Sequence, residues 1–576
     1  MKFSKKPMVN WYDLKQLAAT GVKTVISGVF GNFADKREFQ ATSASDEKPF
    51  DFSDHKEDEF WFDYISDLGD GFNSTYTMAH LLAQDELHVH NFVTKRGRVL
   101  IMGGDEVYPT PEKHEYDNRL KGPYFAAFPW RDDVDTRLFA IPGNHDWYDG
   151  LTNFMKVFCQ ERSIGNWKTQ QKRSYFALKL PHNYWVFAVD IQLHADIDEP
   201  QLKYFCHISQ HDVKKGDKII LCTAEPSWVY KAWSMENTSD HRMQFFIESI
   251  ILGKYKNYYG RQPDDVQLAA ILTGDMHHYS HYKEESKEKS HDCHLITAGG
   301  GGSFTHPTHF LKNYDDGQIK RSLVSEPFPS KSQSKKLAWW NLAFPVYSPH
   351  MVALFAVLHL ITTWFLVAFS QEQGNSFIQN LGMAESASEM CSLIGSNLIY
   401  NPSAVILNVV LLLGLTFFAD TLTGKGQYNL IIGFIHGCVQ VLHFYLVICL
   451  YACVVANHLD TEASGLVRLL IGFLFTLGSG VTSAFVFGLY LLVSTLIIKN
   501  HPTEAFSSFR WEGYKNFLRI KITKDSATVY VVGVKKVPTN WKNKGTEDQP
   551  RYEGGPIKIQ LIEAPFDISP QSNHSI

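Results

Sequence analysis

Asn144, His145 and Asp146 place an amide, an imidazole and a carboxylate on consecutive residues, directly after the apolar run "LFAI" and a Pro-Gly step. A strand end is a rigid platform, and polar groups displayed there suit binding or chemistry better than packing. The same residue types also make ordinary tight turns, so recurrence has to decide. The pattern does recur. "FWFDYISDLGDGF" ends in Asp67 and Asp70, "RGRVLIMGGDEVYPT" reaches Asp105, and "LAAILTGDMHHYSHY" reaches Asp275, His277 and His278. Weaker cases are "KIILCTAEPSW", with Glu225, and "DCHLITAGGGGSFTHPTH", whose four glycines precede His306 and His309.

Strands of one sheet that end in this way converge on one rim, where carboxylate, amide and imidazole groups can fill the coordination of two cations. Oxygen and imidazole donors suit Mn, Fe or Zn. Two cations about 3.5 to 4 Å apart grip both the attacking and the leaving oxygen of phosphoryl transfer, and they lower the pKa of bound water. The chemistry expected is metal-dependent hydrolysis of a phosphate ester.

Asp67 in "SDLGDG", Asp105 in "GGDEVY", "GNHD" at 143–146 and "GDMHHY" at 274–279 resemble, in order and spacing, the motifs of the calcineurin-like metallophosphoesterase superfamily. The similarity covers roughly residues 55–310 and does not extend to the rest of the chain. It implies an α/β fold, a two-sheet β-sandwich flanked by helices, with a dinuclear centre at the strand ends. By that resemblance Asp67 and His277 bind one metal, Asn144 binds the second, Asp105 bridges both, and metal-bound hydroxide attacks the phosphorus. His145 faces the phosphate, stabilising the transition state or protonating the leaving oxygen, and Asp146 orients its ring.

Three positions depart from the family pattern. Gly69 stands where the first motif has a His, Ala224 and Glu225 stand where a His precedes Pro, and Asp275 replaces the first His of the last motif. Asp275 and Glu225 are expected to serve as oxygen ligands instead, with Asp70 close to the vacancy at Gly69. Such a centre favours Mn or Mg over Zn, because imidazole suits Zn better than carboxylate does. His278 and His306 are assigned to substrate binding. The glycines at 299–302 are candidates for phosphate-facing N–H groups, without the Gly-Lys-Ser/Thr of a nucleotide loop, and Asp190 and Gln192 for the cleft.

The elements that must position these groups are strand-length apolar clusters up to about Lys336; beyond it the apolar runs become long and free of charge. Four membrane spans are expected: Met351 to Phe369, about Ala404 to Ala419, Tyr428 to Ala456, and the interval between Arg468 and Lys499. Basic residues (Lys331, Lys335, Lys336, Lys425, Lys499, Arg510) flank one side, and the loops at 371–402 and 457–467 have no Lys or Arg. This asymmetry places both soluble parts in the cytosol. His359, Asn408, Asp420, His436 and His443 fall within the spans, either to bond across helices or, for His436 and His443 on one helix face, to ligate a metal or haem. The expected domains are an extension at 1–54, a phosphoesterase domain at 55–345, four transmembrane helices at 346–498 and a small cytosolic β-rich domain at 499–576.

With 576 residues, 44% of them hydrophobic, the chain can build several domains. A net charge of −5 offers no footprint for nucleic acid. Eight scattered cysteines show neither zinc-site spacing nor disulfide density. The expected partners are the membrane and a phosphoester, lipid-linked or soluble. A rival reading is a degenerate domain serving as a membrane scaffold or sensor; a channel with a regulatory domain is a third, for which spans so poor in charge give little support.

Overall fold

The computed structural model describes residues 1–18, 48–55, 57–191, 197–234, 237–254, 265–286, 292–369, 376–418, 420, 426–458 and 464–569. Gln192 and Lys425 lie outside them. The chain forms two compact units, one comprising Met1–Val9, Ala18–Lys335 and Arg510–Ile576, the other Asn10–Leu17 and Lys336–Phe509.

The first unit is mixed α/β and rests on two large sheets. One runs β1 (Phe50–Asp51), β9 (Phe176–Lys179), β10 (Tyr184–Ala188), β11 (Lys218–Cys222), β12 (Gln267–Thr273), β14 (Cys293–Ala298), β13 (Tyr279–Ser286), β16 (Ile319–Leu323), β15 (Tyr314–Asp315). The other runs β21 (Ile559–Leu561), β18 (Ala527–Val534), β17 (Lys515–Ile522), β2 (Phe60–Ile65), β5 (Val99–Met102), β6 (Thr136–Ala140), β8 (Trp167–Thr169), β7 (Ser163–Ile164), with β22 (Phe566–Asp567) also on β18. Two ribbons pair separately: β3 (Glu86–Val89) with β4 (Phe92–Lys95), and β19 (Lys542–Asn543) with β20 (Tyr552–Glu553).

Strands β2, β5 and β6 are parallel neighbours, and every residue of β2 and β5 is buried. Parallel strands need covering on both faces. On one face Ile65, Leu100, Met102 and Leu138 pack with Met78, Leu81 and Leu82 of the helix Phe72–Leu82. Phe139, one residue on from Leu138, points the other way. Its ring lies 4.9 Å from Phe50 and 5.1 Å from Phe176, both on the first sheet, so the sheets meet through aromatic side chains. The far face of the first sheet is covered in turn, by Tyr204, Phe205 and Ile208 of the helix Glu199–His211 against Trp185, Phe187 and Leu221.

The expected separate C-terminal domain is corrected by this topology. β17 pairs antiparallel with β2 (Leu518 opposite Tyr64, Arg519 opposite Asp63) and with β18, so the last strands complete the second sheet. A charge within β17 is matched inside. Arg519 is fully buried, its Nε is 3.3 Å from Asp63 Oδ1, and its terminal nitrogens donate to the carbonyls of Leu81, Leu82, Gln84 and Thr94. The extension at the N-terminus also belongs here: Val9 N–H donates to Asp70 Oδ1, and the Arg119 guanidinium donates to the Pro7 carbonyl. A chain ending at Phe509 would expose the edge of β2 and strand its apolar neighbours. We expect that truncation to aggregate, as read by size exclusion in detergent; a monodisperse product would contradict the pairing.

Among the described residues, the second unit has three helices long and apolar enough to cross a membrane, Pro349–Phe369, Gln427–Asn457 and Gly465–Ile498. The expected second span counts as a fourth only if a bent helix pair is taken as one span. Its place is taken by two helices, Ala387–Tyr400 and Pro402–Phe417, bent by 100° at Asn401. Pro402 follows the break, and the Asn401 side chain caps Ala404 N–H while donating to the Phe365 carbonyl. At 16 residues, or about 24 Å, the second of these is short for a bilayer core of about 30 Å. The polar residues of the long helices bond across them: His359 Nε2 and His443 Nδ1 each lie 3.2 Å from Ser483 Oγ, and Asn408 donates to Tyr445 at 2.6 Å. His436 instead stacks on Tyr490 at 3.8 Å, so His436 and His443 do not share a ligand position.

Candidate functional site

Four of the strands named in the sequence end in turns that bring a polar residue to one rim. β2 leads to Asp67, β5 to Asp105, β6 to Asn144 and β12 to Asp275 and His277, so the donors come from both sheets. Asp67, Asp105, Asp275 and His277 have φ of 57°, 52°, 66° and 37°, left-handed backbone that side chains other than Gly rarely adopt. Such conformations cost on the order of 1 kcal/mol or more each and persist where the surroundings over-determine them. Here the turns are laced together. Asp67 N–H donates to the Gly104 carbonyl, Leu68 N–H to the Asp105 carbonyl, and Asp275 N–H to Asp67 Oδ1.

Asp67, Asp105 and His277 offer ligand atoms all within 4.8 Å of one another, and all three are buried. Between them lies a residue the sequence reading passed over. The Tyr108 hydroxyl is 2.9 Å from Asp105 Oδ2, 3.2 Å from Asp67 Oδ1 and 2.9 Å from His277 Nε2. His277 donates Nδ1–H to the Phe304 carbonyl, which leaves Nε2 an acceptor. Three acceptors therefore face one phenolic proton. The deficit of positive charge can be met by protons on the carboxyls or by a cation.

Gly69 has no room for a side chain. A Cβ there would stand 2.2 Å from the Glu106 carbonyl oxygen and 2.8 Å from Val107 Cα, at a φ of +30°. The close approach of that backbone, fixed by Tyr108 N–H donating to the Gly69 carbonyl, is what delivers Tyr108 to the centre. A tyrosine three residues after Asp105 was the available signal. Gly69→Ala is expected to destabilise the protein by more than about 1 kcal/mol, read as a fall in melting temperature; an unchanged temperature would mean the turn can relax.

Asn144 Oδ1 is buried and accepts no hydrogen bond, as a cation ligand kept in reserve would be. The adjacent His145 donates its backbone N–H to Asp105 Oδ1 at 2.9 Å, tying this turn to the carboxylate group. The His145 ring packs 4.4 Å from that of Tyr108 and lies with Nδ1 2.9 Å from the Pro109 carbonyl. Asp146, expected to orient that ring, does something else. Its carboxylate accepts from Gly143 N–H, Glu106 N–H and the Tyr116 hydroxyl, so it braces the turn.

Other expected ligands are placed differently. Asp275 is partly exposed and accepts from the Tyr230 hydroxyl, and Glu225 is half-buried; neither belongs to the group of three. Asp70 turns away, to Val9 N–H. His306 stacks on His277 at 3.9 Å, and His278 is fully buried with both ring nitrogens unbonded. Two N–H groups of the glycine run are engaged rather than free for a phosphate: Gly299 donates to the His278 carbonyl and Gly301 to the Ser66 carbonyl. Its glycines serve close approach instead, since a Cβ at Gly299 would lie 2.4 Å from Asp67 Oδ2. Asp190 is a buried structural acceptor for Trp147 and Ser174.

Burial dominates the electrostatics. It raises Asp105 to about 6 and, with the Asp105 charge nearby, Asp275 to about 7 and Asp146 to about 8, while Asp67 rises well above its usual range. It lowers His145 to about 4 and His277 well below its ordinary value. Carboxyls crowded in a buried site behave in this way, even with the buried Lys515 acting on Asp67 from nearby.

No family model matches the chain, and no curated protein matches it. Among solved structures it is similar to one described as "Structure of PhoD", with a TM-score of 0.29 and 11% identity, over 44% of this chain and 59% of that chain. A likeness at that level carries no argument here.

Proposed function

We propose that the first unit is a metallophosphoesterase of the calcineurin-like type, which hydrolyses a phosphate ester with the help of two divalent cations. The reading is carried by one observation: Asp67, Asp105 and His277 present three acceptors to the single proton of Tyr108, beside the unbonded Oδ1 of Asn144. The donor set fits cations that accept oxygen and imidazole together, Mn, Fe, Mg or Zn, with Mn or Mg favoured by its oxygen content. Asp67, His277 and Tyr108 would hold one ion, Asn144 the other, and Asp105 would lie between them; Asp275 and Glu225 stand at the edge of this set. Bound there, the ions would neutralise the phosphoryl oxygens and make water more acidic.

His145 contributes through its own position. With Nδ1–H engaged by the Pro109 carbonyl, a substrate oxygen would meet Nε2. Burial keeps the ring neutral near pH 7, and an anionic phosphate placed against Nε2 favours the imidazolium, so substrate binding and proton uptake are coupled at that atom. Of the two histidines assigned to the substrate, His306, stacked on His277, would be the one to meet it, since His278 is fully buried. A lipid-linked phosphoester, with the sheet unit on the cytosolic side of the membrane, is the substrate and setting we favour.

The second reading is a metal-free scaffold or sensor. It is favoured by the same Tyr108 hydroxyl, which bonds all three groups and could satisfy them if the carboxyls carry protons. Elemental analysis of the full chain purified in detergent, together with a phosphate-release screen over mono- and diesters, separates the two. We expect stoichiometric divalent metal and turnover that is lost in His145→Ala; metal-free protein without turnover after reconstitution with Mn would overturn the assignment.

A further inference from the structure

A cavity of about 530 Å³ opens in the first unit, and no residue of the candidate metal site lines it. It lies where the edges of the two sheets come together, between β1 on one side and the β7–β8 hairpin on the other. Its lining is unusual for its charge. Among the described residues, Lys48, Arg137, Arg162, Lys168, Lys172 and Arg173 line it, with one carboxylate, Glu161. Glu161 pairs with Lys172 at 3.5 Å, and Asp135 serves both Arg137 and Lys168, at 3.0 and 3.3 Å.

The backbone that carries several of these cations is held by the fold. Arg162 and Thr169 are clamped across the hairpin, Thr169 N–H donating to the Arg162 carbonyl and Arg162 N–H to Thr169 Oγ1. Gln171 donates to the Arg173 carbonyl and to that of Ala140, fixing the segment against β6. The Arg173 guanidinium is buried and lies over the rings of Tyr204 and Tyr175, at 5.1 and 5.8 Å. Tyrosine faces orient such a group and lower the local dielectric. Like charges gathered on a concave, partly apolar wall repel one another unless an anion joins them, and such a wall concentrates anions from solution.

From this arrangement we propose a second ligand site, independent of the metal centre and of the function proposed for it, that binds a small molecule carrying several phosphate groups. Arginine suits bidentate contact with phosphate oxygens, and lysine adds point charge. The volume falls within the range of small-molecule sites, about 300 to 1,000 Å³, and is too small for a folded partner or a duplex. A soluble polyphosphate and the headgroup of a multiply phosphorylated lipid share this chemistry.

The test uses the full chain in detergent and titration calorimetry with inositol hexakisphosphate, inorganic phosphate, and a short-chain phosphoinositide bearing two ring phosphates. We expect at least one polyphosphorylated probe to bind at least about tenfold more tightly than inorganic phosphate. That affinity should fall at least about tenfold in Arg137→Ala/Arg162→Ala/Lys172→Ala and by a smaller, measurable factor in Arg137→Lys/Arg162→Lys, which keeps the charge but loses the bidentate fork; unchanged affinity in the Lys variant would count against the site. Binding of inositol hexakisphosphate identifies the soluble source, and binding of the phosphoinositide alone identifies the lipid. Equal affinity in wild type and the triple Ala variant, no binding by any probe, or a preference for a single-stranded oligonucleotide over every phosphorylated probe would overturn the proposal. The Lys variant keeps the test decisive if the Ala variant fails to fold. Phosphate release and metal content of a folded Ala variant should match wild type.

Discussion

Asp105→Ala is expected to abolish phosphate release, by about 10³-fold or more, while leaving the metal-free protein as stable as wild type or more so. The first half follows from position. Asp105 accepts His145 N–H on one oxygen and the Tyr108 hydroxyl on the other, and it lies within 4.8 Å of Asp67 and His277. Removing it should cost the second cation outright and weaken the first. The second half follows from charge. Asp105 is buried, and its negative charge is among the causes that raise Asp67 and Asp275. Deleting one of several crowded carboxyls relieves a repulsion that only a cation otherwise relieves, the usual tension between function and stability. Phosphate release and melting temperature, measured together, separate the two effects. A variant that loses activity and also melts far lower would show Asp105 acting as a strut.

The metal-free protein is expected to lose stability as the pH rises from about 6.5 to 8, and to regain it when Mn is added. Asp275 is raised to about 7, Asp146 to about 8, and Asp67 and Glu106 well above their ordinary values, in each case chiefly by burial. A carboxyl whose folded pKa exceeds its unfolded value of about 4 binds its proton more tightly in the fold. Its contribution to stability is complete below about pH 4 and is lost as the pH climbs through the folded value. The buried histidines act in the opposite sense only below about 6.5, their unfolded value. Lys515, lowered to about 8 by burial, opposes the trend only above that pH. A bound cation requires deprotonated ligands, so its affinity rises with pH and reverses the slope. Thermal melts of chelated protein across this window, with and without Mn, provide the measurement. A melting temperature that climbs with pH in the chelated protein would show these carboxyls to be paired in some other way.

Much of the candidate site was legible because its signals are local. A strand that stops at Asp or at Asn-His announces a polar rim from a dozen residues of sequence, and Asp67, Asp105 and His277 do meet within 4.8 Å. What was not legible depends on approach between distant segments. Tyr108 enters the centre only because Gly69 lets the 106–107 backbone come within contact. Asp275 was read as a ligand, but the structure turns it to Tyr230, 45 positions away. Asp146 was read as the partner of its neighbour's ring, yet its acceptors are filled by backbone N–H groups and Tyr116.

The sequence by itself determined where apolar strands and long apolar helices lie and which polar groups stand at strand ends, because those follow from residues a few positions apart. Only the tertiary structure decided that Lys515–Ile522 joins Phe60–Ile65 in one sheet, and that the helix before Pro402 bends away from the one after it. Alternation along a strand specifies which side faces inward but not which strand lies alongside. The partner is chosen by burial summed over the whole sheet, here by Arg519 meeting Asp63 across some 450 residues of chain.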